Sequence, residues 1–175
     1  MERRAFPAEL RASGRRLEGY AATFGTPAEI GDAFTETIAP GAFQASLAGT
    51  RDILALVDHD PGKVLGRTRS GSLRLSEDGR GLAFSLDLPD TQAGRDVLAL
   101  AERGDLGGMS FGFTVTDEHR AGSQRELRAV DLFEVSVVCA WPAYPGTAVQ
   151  ARTKPQSRPA LAHAARLIRI LEAGQ

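Results

Sequence analysis

One serine has glycine neighbours in a pattern that favours chemistry at its hydroxyl. The run Gly107–Val115 predicts a strand, and the side chains of a strand alternate between two faces. Met109, Phe111, Phe113 and Val115 form an apolar face, and Gly108, Ser110, Gly112 and Thr114 form the other. The two glycines beside Ser110 predict an open notch where a peptide backbone could approach the hydroxyl of a nucleophile. A glycine-weakened strand at a sheet edge or bulge, carrying an incidental serine, is the alternative.

A serine nucleophile needs a base within hydrogen-bond reach, most often histidine, and the chain has 3 histidines. His59 follows the apolar run Ile53–Val57 and precedes a Pro-Gly pair, so a strand end would hold it beside a cleft. His119 lies in a charged segment, and His163 lies in the C-terminal tail. His59 is therefore the best candidate base, although a histidine that only satisfies turn groups would occupy the same place.

A carboxylate stands inside the apolar run from Leu132 to Trp141. This run predicts a strand buried on both faces, where Glu134 would need a positive or hydrogen-bonding partner. An imidazolium formed during catalysis is one such partner, and a structural ion pair with an arginine is the other. Asp131 and Asp60 are weaker candidates for the role of the acid.

The triplet Asp58-His59-Asp60 also suggests a metal site, because oxygen and nitrogen ligands suit zinc or manganese. Strand alternation would turn both aspartates away from the histidine, and the chain has no H-E-x-x-H motif. No phosphate-binding loop of the P-loop type is present either. We therefore expect neither a metal nor a cofactor.

The elements that must position these residues are mostly strands, since glycines and prolines separate short apolar runs throughout. Expected strands are 17–24, 34–38, 53–57, 109–116 and 127–140, with a short helical turn over 40–47 and a hairpin of 73–75 with 82–88. A helix capped by Asp90 or Thr91 is expected to end at Gly104. The polar segment 117–123 should join the last two strands, which should be antiparallel.

Composition limits the classes of function. The chain has 175 residues, which favours one domain, and its formal net charge of −1 argues against nucleic-acid binding. Cys139 is the single cysteine, which excludes an internal disulfide and fits a reducing compartment. No apolar run reaches a membrane span, so no membrane partner is expected. We divide the chain into an N-terminal extension (1–16), a central domain (17–150) and a flexible basic tail with a terminal amphipathic helix (151–175).

Six segments, taken together, resemble the prohead (capsid maturation) serine proteases of tailed phages. They are Gly19–Gly25, Ile38–Phe43, Val57–Asp60, Met109–Phe113, Phe133–Val138 and Pro142–Tyr144. This family is similar in fold to the herpesvirus assemblin proteases. The resemblance implies a mainly β (α+β) domain with flanking helices, built on a closed or partly closed antiparallel β-barrel. It also implies a triad of His59 as base, Ser110 as nucleophile and Glu134 as orienting acid.

The implied function is cleavage of scaffolding protein, of scaffold segments of the major capsid protein, and of the chain itself inside the assembling prohead in the host cytoplasm. The herpesvirus relatives work as dimers, so self-association is a further expectation of the resemblance. The alternative is a catalytically inactive head-assembly or scaffold-binding module on the same fold. The enzyme requires the Ser110 and His59 side chains to approach within about 3–4 Å in a competent state.

Overall fold

The computed structural model describes residues 1–6 and 10–140, and this part of the chain is mainly β, as predicted. Its strands are β1 (Glu2–Phe6), β2 (Arg11–Ser13), β3 (Arg16–Thr23), β4 (Ala28–Ile30), β5 (Phe34–Ile38), β6 (Leu54–Val57), β7 (Asp60–Arg67), β8 (Leu73–Glu77), β9 (Gly81–Asp87), β10 (Gly108–Ala121) and β11 (Gln124–Val138). Its helices are α1 (Gln44–Ala48) and α2 (Gln92–Arg103). Neither helix is long and apolar enough to cross a membrane.

The described strands form two sheets, and neither sheet closes into a barrel. The larger sheet has 7 strands and is organised around β11. One edge of β11 pairs with β10, and β1 lies beyond β10. The other edge pairs with β5 along its first half and with β6 along its second half, in both cases in parallel. The sheet is therefore mixed and not wholly antiparallel, and a closed barrel is not confirmed.

The smaller sheet has 4 strands in the order β2-β3-β9-β8 and contains the predicted hairpin of β8 and β9. Helix α2 follows β9 with the expected ends. The Thr91 side chain accepts a hydrogen bond from the Gly94 backbone N–H (3.2 Å), and Gly104 ends the helix with a φ of 73°. Both caps satisfy backbone groups that the helix leaves without partners.

The hairpin of β10 and β11 is longer than expected, because the predicted polar connection over 117–123 is mostly strand. Residues 117–121 pair with 124–129 of β11, and the turn is reduced to Gly122 and Ser123. The side chains here are mostly exposed, so polar residues extend the ladder without any burial cost. His119 accordingly lies on an exposed position of β10 and not in a loop.

The predicted apolar face of β10 forms part of the core. Phe111 and Phe113 are fully buried, and Met109 is nearly so. The Phe111 ring stacks on Phe6 at 6.0 Å and meets the edge of Phe43 at 5.5 Å, which are favourable aromatic geometries. Burial of this face orients β10, so its other face carries Ser110 and Gly112.

Residues 1–16, expected as an extension, contribute β1 and β2 to the two sheets. A buried ion network attaches β1. The Glu36 carboxylate, 2% exposed, accepts hydrogen bonds from Arg4 of β1 (2.5 Å) and from Arg125 of β11 (3.0 Å). The proposed boundary near residue 150 and the tail beyond it lie outside the described residues.

Replacing Glu36 tests this network. Arg4 and Arg125 share two carboxylates, the buried Glu36 and the partly exposed Glu2. Glu36→Ala leaves both guanidinium groups with only their more exposed partners, so we expect the free energy of unfolding to fall by about 3 kcal/mol. Urea denaturation of the full chain measures this loss. The exposed pair of Glu126 and Arg128 supplies the control, and Glu126→Ala should change stability by about 0.5 kcal/mol or less. Equal effects of the two substitutions would contradict the network.

Candidate active site

The register of β10 and β11 brings polar residues together on one face of the large sheet. Ser110 lies opposite Ser136, and Gly112 lies opposite Glu134. Side chains of directly opposed residues project on the same side of a sheet, and so do side chains two residues apart on one strand. Ser110, Glu134 and Ser136 therefore share one face, opposite the phenylalanine face of β10.

The parallel pairing of β6 with β11 brings His59 to this face. Val57, the last residue of β6, is paired with Val137 of β11, so the turn after β6 lies beside the end of β11. Val57 also pairs with Asp60, which leaves Asp58 and His59 as a two-residue hairpin loop. Their φ angles are 48° and 60°, the left-handed values that two-residue hairpin loops of type I′ require. The sequence analysis expected His59 at a strand end before Pro61-Gly62, whereas the chain turns at Asp58 and His59 themselves and Pro61-Gly62 already belong to β7.

Strand β11 and Cys139, the residue after it, hold this unusual turn through three hydrogen bonds. The Asp58 N–H donates to the Val137 carbonyl (3.0 Å), and the Cys139 N–H donates to the Asp58 carboxylate (2.9 Å). The His59 N–H donates to the Ser136 hydroxyl (3.2 Å). Left-handed conformations are costly for residues other than glycine, so such contacts are needed to maintain them.

The His59 ring is hydrogen-bonded to Glu134. Nδ1 of His59 lies 2.7 Å from Oε1 of Glu134, and the glutamate is 4% exposed. An ionised carboxylate only accepts hydrogen bonds, so Nδ1 must carry the proton. In the neutral ring, this tautomer leaves the lone pair on Nε2, which is the atom a general base uses. The structure thus brings together two of the three predicted site residues, which are 75 positions apart in the chain.

Ser110 differs from the expectation of an open notch. Strand β10 lies between β1 and β11, so Ser110 is not at a sheet edge, and the residue is only 1% exposed. Its hydroxyl is buried and has no hydrogen-bond partner among the described residues, so it is not bonded to His59 in this state. Buried polar atoms without partners are rare, and such atoms often mark functional positions.

Gly112 has a role that the sequence analysis missed. A Cβ atom added at Gly112 would overlap Oε1 and Cδ of Glu134. The glycine therefore provides the space in which the carboxylate meets His59, whereas the sequence suggested space for an approaching peptide. The β10–β11 pairing has a register shift between Gly112 and Phe113. The sequence analysis had named a bulge as one alternative for this segment, and this irregularity lies beside Gly112 and not at Ser110.

The rival residues have other partners. Asp131 lies 3.8 Å from Arg51, and Asp60 lies 3.5 Å from Lys63. Because Asp58 binds the Cys139 amide and Asp60 binds the Gly62 amide, the Asp58-His59-Asp60 triplet does not converge on one point. Within 1–6 and 10–140, no group of three or more His, Cys, Asp or Glu side chains could hold a metal ion. His163 lies outside the described residues.

We expect Gly112→Ala to destabilise the fold by about 1–3 kcal/mol in urea denaturation, because the new methyl group forces the Glu134 carboxylate away from His59. Gly79→Ala is the matched control, since nothing lies within 4 Å of its added Cβ and its φ is not positive. The penalty should largely disappear in the Glu134→Ala background, as a double-mutant cycle would measure. An equal penalty in both backgrounds would refute this explanation of Gly112.

The single thiol should be a poor nucleophile. Burial and the neighbouring Asp58 carboxylate raise the pKa of Cys139 from 9.0 to about 11. A rise of about two pKa units lowers the thiolate fraction at pH 8 about 100-fold, so alkylation by iodoacetamide should be slower by that factor. The rate should climb as the pH approaches 11, and it should reach the value of an ordinary thiol in urea. Equal rates for the native and the denatured chain at pH 8 would disprove the shift.

Comparisons with known proteins bear on the identity of this site. No curated protein and no solved structure gives a significant match to the chain. A family model described as caudovirus prohead serine protease matches residues 5–159, which is most of the chain and includes His59, Ser110 and Glu134. The chain therefore belongs to the caudovirus prohead serine protease family.

Proposed function

We propose that this chain is an active serine endopeptidase of prohead maturation, with Ser110 as nucleophile, His59 as general base and Glu134 as orienting acid. Family membership supports the class of enzyme. The observation that carries the residue assignment is the 2.7 Å hydrogen bond from His59 to the buried Glu134, on the sheet face that also carries Ser110. A carboxylate in this position selects the histidine tautomer and stabilises the imidazolium that forms during acyl transfer.

In the proposed mechanism, Nε2 of His59 takes the hydroxyl proton as Oγ of Ser110 attacks the peptide carbonyl carbon. The tetrahedral intermediate collapses, the C–N bond breaks, and the imidazolium donates the proton to the leaving amine. Water, deprotonated by His59, then attacks the acyl-enzyme, releases the new carboxyl group and restores the serine. Glu134 remains ionised throughout, and its role is to orient His59 and to balance its charge.

The buried Ser110 hydroxyl, which has no hydrogen-bond partner within 1–6 and 10–140, gives this mechanism an activation requirement. Ser110 must rotate or shift to reach Nε2 of His59, and the site must open to admit a peptide. Backbone amides must also meet the oxyanion. Those beside Ser110 are candidates, and so are those of Trp141 and Ala143, which lie outside the described residues; Pro142 between them has no N–H.

The proposed substrates are proteins of the assembling head: a scaffolding protein or the scaffold segment of the major capsid protein, and the chain itself. The basic tail after residue 151 would suit a segment that the enzyme removes from itself. Cleavage would take place within the prohead in the host cytoplasm, and self-association of the chain is part of the proposal. The proposed steps need no metal or cofactor.

A fluorophosphonate probe tests the residue assignment without knowledge of the cleavage site. Attack by Oγ forms an O–P bond and expels fluoride, while His59 takes the hydroxyl proton. We expect the label on the peptide that contains Ser110, as mapped by mass spectrometry, and we expect none on Ser110→Ala. His59→Ala and Glu134→Ala should react about 10²–10⁴-fold more slowly than the unsubstituted chain.

Thermal unfolding of each variant shows whether the fold is intact, and heat-denatured chain provides the unreactive reference. Label on a different serine, or equal labelling of Ser110→Ala, would overturn the nucleophile assignment. A folded chain that never reacts, even with assembled proheads present, would favour the inactive head-assembly module instead.

A further inference from the structure

We propose that Ser136 is a positioning residue of this site, whose single hydroxyl aligns the acid and the base at once. The inference deepens the proposed function and rests on it. Ser136 follows Glu134 by two positions on β11, is fully buried and lies directly opposite Ser110. It would not touch the peptide that is cleaved, so it acts through Glu134 and His59.

The directions of the hydrogen bonds around Ser136 are determined by chemistry. The His59 backbone N–H can only donate, so the Ser136 oxygen accepts that bond (3.2 Å). The hydroxyl proton is then free to go to Oε2 of Glu134, which lies 2.5 Å away. A carboxylate can only accept, so this direction is also unambiguous. A hydroxyl fits here because it donates and accepts at the same time, which neither a methyl nor a methylene group can do.

Because of Ser136, the two carboxylate oxygens of Glu134 accept hydrogen bonds from two different donors. Oε1 accepts from the His59 ring, and Oε2 accepts from Ser136, so each oxygen is held separately and the plane of the carboxylate is constrained. Hydrogen bonds to an ionised group are the strong ones. Without the hydroxyl, Oε2 would lose its only described side-chain partner at a place that water does not reach, and the carboxylate could rotate.

The same hydroxyl also holds the backbone that carries the base. His59 has a φ of 60°, and its N–H is bonded to Ser136. Loss of this bond would loosen a conformation that is unfavourable for histidine. Ser136→Ala therefore releases both ends of the bond between His59 and Glu134. Misplacement of a catalytic group by about 1 Å can cost about 100-fold in rate, so two small displacements are sufficient for a large effect.

Proton NMR of the full chain, labelled with ¹⁵N in its histidine rings, tests the alignment directly. A buried Nδ1–H donated to a carboxylate resonates far downfield and exchanges slowly. We expect this His59 resonance in the unsubstituted chain and in Ser110→Ala, and we expect it to be lost in Glu134→Ala. In Ser136→Ala it should broaden or move upfield, whereas Ser136→Thr, which retains the hydroxyl, should restore it.

The rate at which the fluorophosphonate inactivates each variant tests whether Ser136 affects the reactivity of Ser110. Because Ser136 does not contact the ligand, Ser136→Ala should lower the maximal inactivation rate about 10–100-fold and leave the half-saturating probe concentration unchanged. Ser136→Thr should recover most of the rate. If Ser136→Ala does not fold, Ser136→Cys keeps the shape of the side chain with a slightly larger atom that is only a weak donor and acceptor, and it should show the same loss.

Ser46 supplies the matched control. Its hydroxyl also makes two bonds to β11, donating to the Val130 carbonyl (2.6 Å) and accepting from the Leu132 N–H (2.8 Å), but it is hydrogen-bonded to neither His59 nor Glu134. Ser46→Ala should reduce stability while leaving the His59 resonance and the inactivation rate unchanged. If Ser136 contributed to stability alone, Ser136→Ala, like Ser46→Ala, would leave the His59 resonance and the inactivation rate unchanged.

The outcomes separate this inference from the proposed function. If Ser110 of the unsubstituted chain never reacts, the proposed function fails, and a Ser136-dependent resonance still supports the alignment of His59 with Glu134. If Ser110 reacts and Ser136→Ala keeps both the resonance and the rate, the proposed function stands and the positioning role of Ser136 is refuted.

Discussion

A carboxylate buried inside a β-sheet is the constraint on which the rest of the site depends. Glu134 sits on a strand with apolar neighbours and is almost inaccessible to water, so each of its oxygens needs a donor. The His59 ring supplies one donor, and the Ser136 hydroxyl supplies the other. Gly112 on the neighbouring strand leaves the space that the carboxylate occupies. The turn after β6, strand β10 and strand β11 thus each contribute a residue that accommodates the Glu134 carboxylate.

Strand β11 provides the geometry that this charge requires. It pairs with the strand of Ser110 on one side and with the strand that leads to His59 on the other, so all three predicted site residues come from adjacent strands or from their ends. Sites on such rigid elements hold their side chains more accurately than sites on long loops. Among the described residues, Asp58 and His59 are the ones other than glycine with a positive φ, and three hydrogen bonds attach their turn to β11 and to Cys139, which follows it. The unfavourable backbone conformation therefore occurs at His59, the proposed general base, whose ring must be oriented toward Ser110.

Much of this arrangement could be predicted from local sequence patterns. Alternation identified the apolar face of β10, the end of an apolar run placed His59 at the end of a strand, and the cost of a buried charge indicated that Glu134 has a polar partner. Thr91 and Gly104 marked the ends of α2 through capping chemistry that acts within a few residues. These signals are local, so a single sequence contains them.

The features that the sequence did not predict depend on pairing between distant segments. The parallel register of β6 with β11 decides which residues meet, and no short-range pattern encodes it. That register brings His59 to Ser136, and the register of β10 with β11 brings Gly112 to Glu134. The residue types alone did not suggest either role. The central position of the Ser110 strand follows from the pairing of β1 with β10, whereas residues 1–16 were expected to be an extension. The strand pairing of residues 117–121 with 124–129 was not predicted, because the polar sequence there lacks the alternation of apolar residues that marks a strand.

The crystal structure of the full chain bound to a peptide boronate tests the central claim most directly. Our account predicts a tetrahedral boron on Oγ of Ser110, Nε2 of His59 within about 2.6–3.2 Å of that oxygen or of a boronate oxygen, and the bond from His59 to Glu134 retained. A boronate bound elsewhere, or a Ser110 hydroxyl that stays buried and remote from the His59 ring while peptide occupies the site, would contradict it.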